Sequence, residues 1–185
     1  MTMSNDDFLA DVSNHARLLR AGSGLSKITA EEVASLLTKS IGSEHASLML
    51  RDRNCAESYL TSTEAKLRCA ALLALTYHWE PDNAFKDACE RLVLGDPNPI
   101  VRKCALASFY VSYYATDRLR VGRAAAALTY DNSLPLELRL HAYRSIVQLY
   151  MHGRTTAWYP KSPDSREFRF PEDVDWKLVD SFMFA

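Results

Sequence analysis

The side chains that could bind a metal or act as nucleophiles are dispersed along this chain. Its cysteines lie 14, 20 and 15 residues apart, and its histidines fall on separate predicted elements. These residues are Cys55, Cys69, Cys89, Cys104, His15, His45, His78, His141 and His152. A zinc site or a redox pair needs ligands at short spacings such as C-x-x-C. We therefore interpret the cysteines as reduced thiols in helices and the histidines as surface or interhelix residues.

The motifs of common catalytic and nucleotide-binding sites are missing. None of G-x-x-x-x-G-K-[ST], G-x-G-x-x-G, G-x-S-x-G and H-E-x-x-H occurs. Glu44-His45 has the reverse order of the metalloprotease pair, and no second copy completes a metal site. The sequence thus predicts neither an enzyme nor a bound metal or cofactor.

Length and composition indicate a soluble globular chain forming one domain over residues 1–185. The 185 residues are 48% hydrophobic and 24% charged, with a formal net charge of -1. That charge argues against strong non-specific binding to nucleic acid or to an acidic membrane. The chain begins with acidic residues rather than a basic signal sequence, and no run approaches the roughly 20 apolar residues of a membrane span. We expect a cytoplasmic protein.

A pattern that occurs three times indicates how the chain is organised. An apolar residue precedes an arginine, an alanine follows three residues later, and another large apolar residue comes four residues after that. The copies are Leu67-Arg68-x-x-Ala71 with Leu75, Val101-Arg102-x-x-Ala105 with Phe109, and Leu138-Arg139-x-x-Ala142 with Ile146. The arginines are 34 and 37 residues apart, which leaves room for two helices per copy. Such a period predicts an all-α fold, a short α-solenoid of antiparallel helix pairs.

Helix start and stop signals divide the chain into segments. Thr29 and Glu32 form a capping box before a helix that ends at Gly42, and Asp117 caps a later helix. Helices are predicted over residues 5–20, 29–42, 43–60, 63–79, 82–94, 97–115, from 117, and 135–151. Residues 1–42 then form an N-terminal helical cap, 43–151 the repeats, and 152–185 a C-terminal tail.

The tail has a different composition. Residues 154–171 contain three prolines and no helical stripe, so we expect irregular structure there. A short helix is predicted to start at Pro171-Glu172-Asp173, and within it Val174, Leu178, Val179 and Phe182 are apolar. Seven large aromatic residues in this region are too many to remain solvated. The tail should cap its own chain, or dock on another copy and form a homodimer.

The segment Asp96-Pro97-x-x-x-Val101-Arg102-x-x-Ala105 resembles the inner-helix signature of HEAT-like repeats, and the resemblance covers about residues 44–151. It implies that turn aspartates and repeat arginines form a hydrogen-bonded ladder between adjacent repeats. The ladder would comprise Arg68, Arg102, Arg139, Asp96 and Asp131. An arginine fork suits a carboxylate acceptor. The first copy departs from the pattern, because Thr61 or Thr63 stands where an aspartate is expected.

Numbered from each repeat arginine, positions -1, +3 and +7 form a core stripe. Position +11 is aromatic in each copy, as Trp79, Tyr113 and Tyr150, and continues that stripe with polar tips near the surface. The opposite face should line the concave side of the solenoid. Its candidate partner-binding residues are Tyr77, Lys103, Tyr110, Tyr114, Arg144, Gln148 and Met151. Aromatic residues, Met and Arg are enriched at protein interfaces.

Two functions follow from these residues and the resemblance. The first is a non-catalytic adaptor or scaffold that binds a protein or peptide on the concave face. The second is a nucleic-acid-binding or base-excising protein, since one class of HEAT-like enzymes uses a basic groove with a tryptophan, and Trp79, Arg102 and Arg144 imitate part of it. HEAT-like iron hydroxylases use paired His-Glu motifs, which this chain lacks. The near-neutral charge favours the adaptor.

Overall fold

The structure is a computed structural model that describes residues 29–152, 160–161, 163 and 167–185. Within these ranges the ordered elements are helices, and no strand is found. The helix predicted over 5–20 lies outside the described residues. The chain divides into two compact units, one up to Cys89 and one from Glu90. The all-α class is therefore confirmed, whereas the arrangement as one domain over 1–185 stays a prediction.

Between residues 29 and 82, the described part of the first unit contains four α-helices and a short 3-10 turn. They are α1 Ala30–Ile41, α2 Ser43–Arg51, α3 Arg53–Ser58, the 3-10 turn Tyr59–Thr61, and α4 Ala65–Tyr77. Helix α4 packs against α1, α2 and α3. The next helix, α5 Asn83–Gly95, contains the boundary between the units.

The capping box at the start of α1 is confirmed. Thr29 Oγ1 accepts from Glu32 N at 3.2 Å, and Thr29 N donates to Glu32 Oε2 at 2.7 Å. The predicted stripe of Val33, Leu36 and Leu37 is buried. Gly42 ends the helix with φ 83° and ψ 160°, a conformation open essentially only to glycine.

The single helix predicted over 43–60 is wrong. The helix is interrupted at Asp52, where the backbone is extended. The Asp52 side chain accepts a hydrogen bond from Asn54 N at 2.9 Å and caps the start of α3. The end of α2 is also held from outside its own helix. His78 Nε2 lies 2.8 Å from Leu50 O, and Trp79 Nε1 donates to Met49 O at 3.0 Å. Partners for these terminal carbonyls make the break favourable, since a helix end otherwise leaves them unpaired.

Four further helices lie in the described part of the second unit. They are α6 Pro99–Tyr113, α7 Arg118–Tyr130, α8 Leu136–Met151 and α9 Trp176–Met183. Helices α6, α7 and α8 pack on one another, and α9 packs on α7 and α8. Asn98 accepts from Ile100 N at 2.9 Å and starts α6, where Pro99 takes the first helical position. The predicted cap residue Asp117 precedes α7 but makes no side-chain capping bond.

The core stripe read from the repeats is confirmed in both units. Each of its nine residues is buried, with an exposed fraction of 9% or less. They are Leu67, Ala71, Leu75, Val101, Ala105, Phe109, Leu138, Ala142 and Ile146. Alanine at the middle position allows neighbouring helices to approach closely, while the larger residues on either side supply most of the apolar area.

The last described part of the C-terminal tail, residues 167–185, packs on its own unit. Val174, Leu178, Val179 and Phe182 are buried, as the apolar pattern predicted, although α9 starts at Trp176 rather than at Pro171. Asp175 accepts from Leu178 N at 3.0 Å and caps the helix. The residues described between 160 and 171 form no helix. Burial of these four side chains stabilises the tail on the order of several kcal/mol before its ordering entropy is counted.

Candidate partner-binding surface

Two helices of the second unit, α6 and α8, lie side by side and point the same way. Near their first turns, Lys103 Nζ donates to Glu137 Oε1 at 2.6 Å. Near their last turns, the rings of Tyr114 and His152 meet edge to face with centroids 4.7 Å apart. Contacts at both like ends fix the alignment of the two helices. The face between these contacts is the surface that carries most of the predicted partner-binding residues.

An aromatic cluster forms the end of this surface near residue 152. Tyr110 and Tyr114, one turn apart on α6, stack with centroids 5.4 Å apart and an interplanar angle of 13°. His152 adds the edge contact to Tyr114. Both tyrosines are half-buried, whereas His152 is exposed. Rigid amphipathic rings of this kind give contact area at low entropic cost.

Helix α8 supplies the adjacent row. Arg144, Gln148 and Met151 recur at helical spacing on one face and are each half-buried. Gln148 Oε1 is shielded from solvent, and no donor among the described residues reaches it. A buried acceptor without a donor costs about 1–3 kcal/mol.

The ion pair at the other end is a surface interaction. Hydrogen bonding and the charge of Lys103 lower the pKa of Glu137. The Glu137 side chain is 80% exposed and that of Lys103 is 23% exposed, so solvent screens the pair. Its role is to align α6 with α8 rather than to contribute much stability.

Tyr77 is the one predicted residue of this face that belongs to the first unit. It is half-buried at the last position of α4. The structure thus brings Lys103, Tyr110 and Tyr114 together with the α8 row, whereas Tyr77 belongs to the first unit.

The repeat arginines donate to backbone carbonyls. Arg102 Nε donates to Asp96 O at 2.7 Å, and Arg139 Nε donates to Thr129 O at 3.1 Å. In the first unit, buried Arg68 donates from Nη1 to Ser62 O and Thr63 O, at 2.7 and 3.1 Å. Each arginine therefore binds a stretch of backbone that precedes its own helix.

The two turn aspartates accept hydrogen bonds from their own turns. Asp96 Oδ1 accepts from Asn98 N at 2.8 Å, and Asp131 Oδ1 accepts from Ser133 N and Oγ at 2.9 and 2.6 Å. The bonds from Ser133, and then the charges of Arg102 and Arg139, lower the pKa of Asp131. Asp131 thus interacts electrostatically with the arginines of two successive copies, while direct carboxylate bonds between repeats stay a prediction.

Of the cysteine and histidine side chains suited to chemistry, all but His15 lie in the described part of the chain. In the described parts, no group of three His, Cys, Asp or Glu residues could hold a metal ion. All four cysteines are free thiols; Cys69, Cys89 and Cys104 are buried and Cys55 is half-buried. Burial alone raises the pKa of Cys89. No helix among the residues that are described is long and apolar enough to cross a membrane.

Sequence reasoning missed a second contact set, where the tail meets α7 and α8. Phe182 lies on Gly122, and Phe170 lies over the guanidinium of Arg139 with 4.4 Å between Cζ and the ring centroid. The available signal was Gly122 itself, because a glycine inside a helical pattern often marks a close approach. His152, which extends the aromatic cluster, was missed because it follows the last residue of α8.

Comparison with known proteins adds no relative to this picture. No family model matches the chain, and no similar curated protein or solved structure is found. The likeness to HEAT-like repeats therefore rests on the residues of the chain alone.

Proposed function

We propose that the chain is a small cytoplasmic adaptor of the HEAT-like type, without catalytic activity, that binds a protein or peptide through its inner helices. In this proposal α6 and α8 are the inner helices of successive repeats, and α7 is the outer helix between them. Their matched ends support it, since adjacent repeats of a solenoid place equivalent helices side by side. The four free thiols support a reducing compartment.

One observation carries the binding proposal. The face shared by α6 and α8 presents stacked Tyr110 and Tyr114 next to a row of Arg, Gln and Met, all half-buried. A helix face that only met solvent would be dominated by Glu, Lys and Gln. Tyr and Arg are the types that most often dominate binding energy at protein interfaces. An extended or helical peptide fits a surface of this composition.

The nucleic-acid alternative receives less support from the same residues. Lys103 is paired with Glu137, Arg102 donates to Asp96 O, and the Trp79 indole N–H donates to Met49 O. Binding to phosphates would need unpaired cations in a stripe. We therefore keep this function as a rival that a gel shift at low salt tests: retarded DNA would favour it over the adaptor.

A quantitative pull-down tests the adaptor proposal. The full chain is compared with the variant in which Tyr110, Tyr114 and Arg144 are replaced by Ala. A matched control replaces Arg91, Leu94 and Leu119 by Ala, which are exposed residues elsewhere in the second unit. We expect the first variant to lose at least about tenfold in partner recovery, or about 1.4 kcal/mol, when recovery is expressed per folded molecule from the unfolding curve of each protein. Equal recovery from all three proteins would defeat the assignment of this surface.

A further inference from the structure

The groove between α7 and α8 contains a hollow at Gly122, which has no side chain; this hollow is called the socket below. Gly122 is buried in the middle of α7 and the Phe182 ring lies on it. A Cβ placed on Gly122 would come within 2.7 Å of Phe182 Cε1 and 2.8 Å of Cγ, which real side chains essentially never do. Glycine costs about 1 kcal/mol inside a helix relative to alanine. At Gly122 this cost is accompanied by close packing against the Phe182 ring.

Further contacts fix the direction of α9 in the groove. Trp176, at its start, lies against Tyr130 at the end of α7, with ring centroids 5.0 Å apart. Near its end, the Phe182 ring lies 5.8 Å from the guanidinium of Arg118 at the start of α7. The two helices therefore run in opposite directions.

Polar bonds hold the same segment at its edges. The Tyr130 hydroxyl is hydrogen-bonded to Asp180, and Arg123 Nη2 donates to Ala185 O at 2.6 Å. On the α8 side, Tyr143 OH accepts from Asp175 N at 3.1 Å, and the Tyr143 ring stacks on Phe168 at 5.7 Å. Contacts to α7 and α8 thus occur along the segment from Phe168 to Ala185. This is how a bound helical ligand is recognised in a groove.

We propose that the α7–α8 groove is an exchangeable binding site for the segment 168–185, and that a second copy of this chain can supply that segment. The exchanged contacts would be those seen within the chain, with Phe182 of one copy on Gly122 of the other. Exchange of an identical element is a low-cost route to a dimer, because no new interface has to be created. Within one chain the high effective concentration favours the intramolecular contact, so exchange becomes visible when that contact is disabled.

Sixteen residues, 152–167, separate α8 from the segment in the sequence. A chain of that length spans up to about 50 Å when fully extended, so chain length alone does not prevent exchange. The proposal concerns α7, α8 and α9 and does not depend on the surface formed by α6 and α8.

Complementation between two defective full-length chains tests the proposal. One chain carries Phe182→Ala and keeps the socket; the other carries Gly122→Leu and keeps the ring. Each is first checked for helical content by circular dichroism, and then sedimented alone and in an equimolar mixture. We expect each variant alone to be a monomer of 20.9 kDa and the mixture to form a 1:1 dimer of twice that mass.

The control is the double variant Gly122→Leu with Phe182→Ala. Mixed with the Gly122→Leu chain it offers no intact socket, so that mixture should stay monomeric. Three results would overturn the proposal. The first is a mixture of the two folded single variants that stays monomeric. The second is a dimer that forms equally with the double variant, or in either single variant alone. The third is global loss of helix in a single variant. The last would make the segment an inseparable part of the fold.

Discussion

The Phe182 ring of the last helix lies directly on the backbone of Gly122, at a point where α7 offers no side chain. Through this contact, Phe182 covers the core of the second unit on the side where α9 lies. Gly95 in α5 differs, because apart from its chain neighbours and its own helix backbone no atom lies within 4 Å of the place where a Cβ would stand.

These two glycines give a matched pair of substitutions. Gly122→Ala should lower the free energy of unfolding by about 1–3 kcal/mol, because the added methyl overlaps a buried ring. Gly95→Ala should be neutral or stabilise by up to about 1 kcal/mol, because it only removes backbone freedom from the unfolded chain. Urea unfolding of both variants measures the difference. Equal effects of the two substitutions would mean that Phe182 moves aside without cost.

Gly42 tests the junction of α1 and α2. Its φ of 83° and ψ of 160° lie in a region that side chains avoid, although no atom lies near its Cβ position. Gly42→Ala should therefore cost about 1–3 kcal/mol through backbone strain alone. Ser43→Ala, at the next and exposed position, should stay within about 0.5 kcal/mol of the natural chain. A Gly42→Ala variant as stable as the Ser43→Ala control would show that the junction relaxes.

Arg139 connects the last turn of α7 with the tail. It donates to Thr129 O and its guanidinium faces the Phe170 ring. Arg139→Lys keeps the charge but loses the planar donor, so we expect a loss of about 1–2 kcal/mol in unfolding free energy. Arg91→Lys, at an exposed site, should change it by less than about 0.5 kcal/mol. If Arg139→Lys and Arg91→Lys change the free energy of unfolding equally, the charge of Arg139 alone accounts for its contribution to stability.

Tyr143 predicts a loss of stability in alkali. Burial raises the pKa of its hydroxyl, and the nearby carboxylates of Asp175 and Asp173 raise it further, against the effect of the Asp175 N–H bond. A group whose pKa is raised by folding contributes stability that is present below its unfolded pKa and lost as pH rises towards the folded pKa. Between about pH 8 and about pH 11, the natural chain should therefore lose more unfolding free energy than Tyr143→Phe. Urea titrations at both pH values measure this, and identical losses would contradict the assignment.

Local signals predicted much of the fold. The Thr29–Glu32 capping box and the arginine-centred stripes were read correctly, because each depends on residues within one or two helical turns. The break at Asp52 was missed, since Met49 O and Leu50 O are satisfied by side chains about 30 positions away. The contact between Gly122 and Phe182 was not predicted for the same reason, because the two residues are 60 positions apart. Of the candidate surface, the residue types on α6 and α8 were predictable, but their alignment through Lys103–Glu137 and Tyr114–His152 was not.

The most direct test of the adaptor proposal is site-specific photo-cross-linking from the full chain. A benzophenone amino acid is placed at Tyr110, and in a separate control at Leu119, which is 54% exposed on α7. After irradiation in native lysate, the proposal predicts that the Tyr110 probe gives a discrete cross-linked protein band that the Leu119 probe does not give. The same band from both positions, or from neither, would contradict a binding surface on α6 and α8.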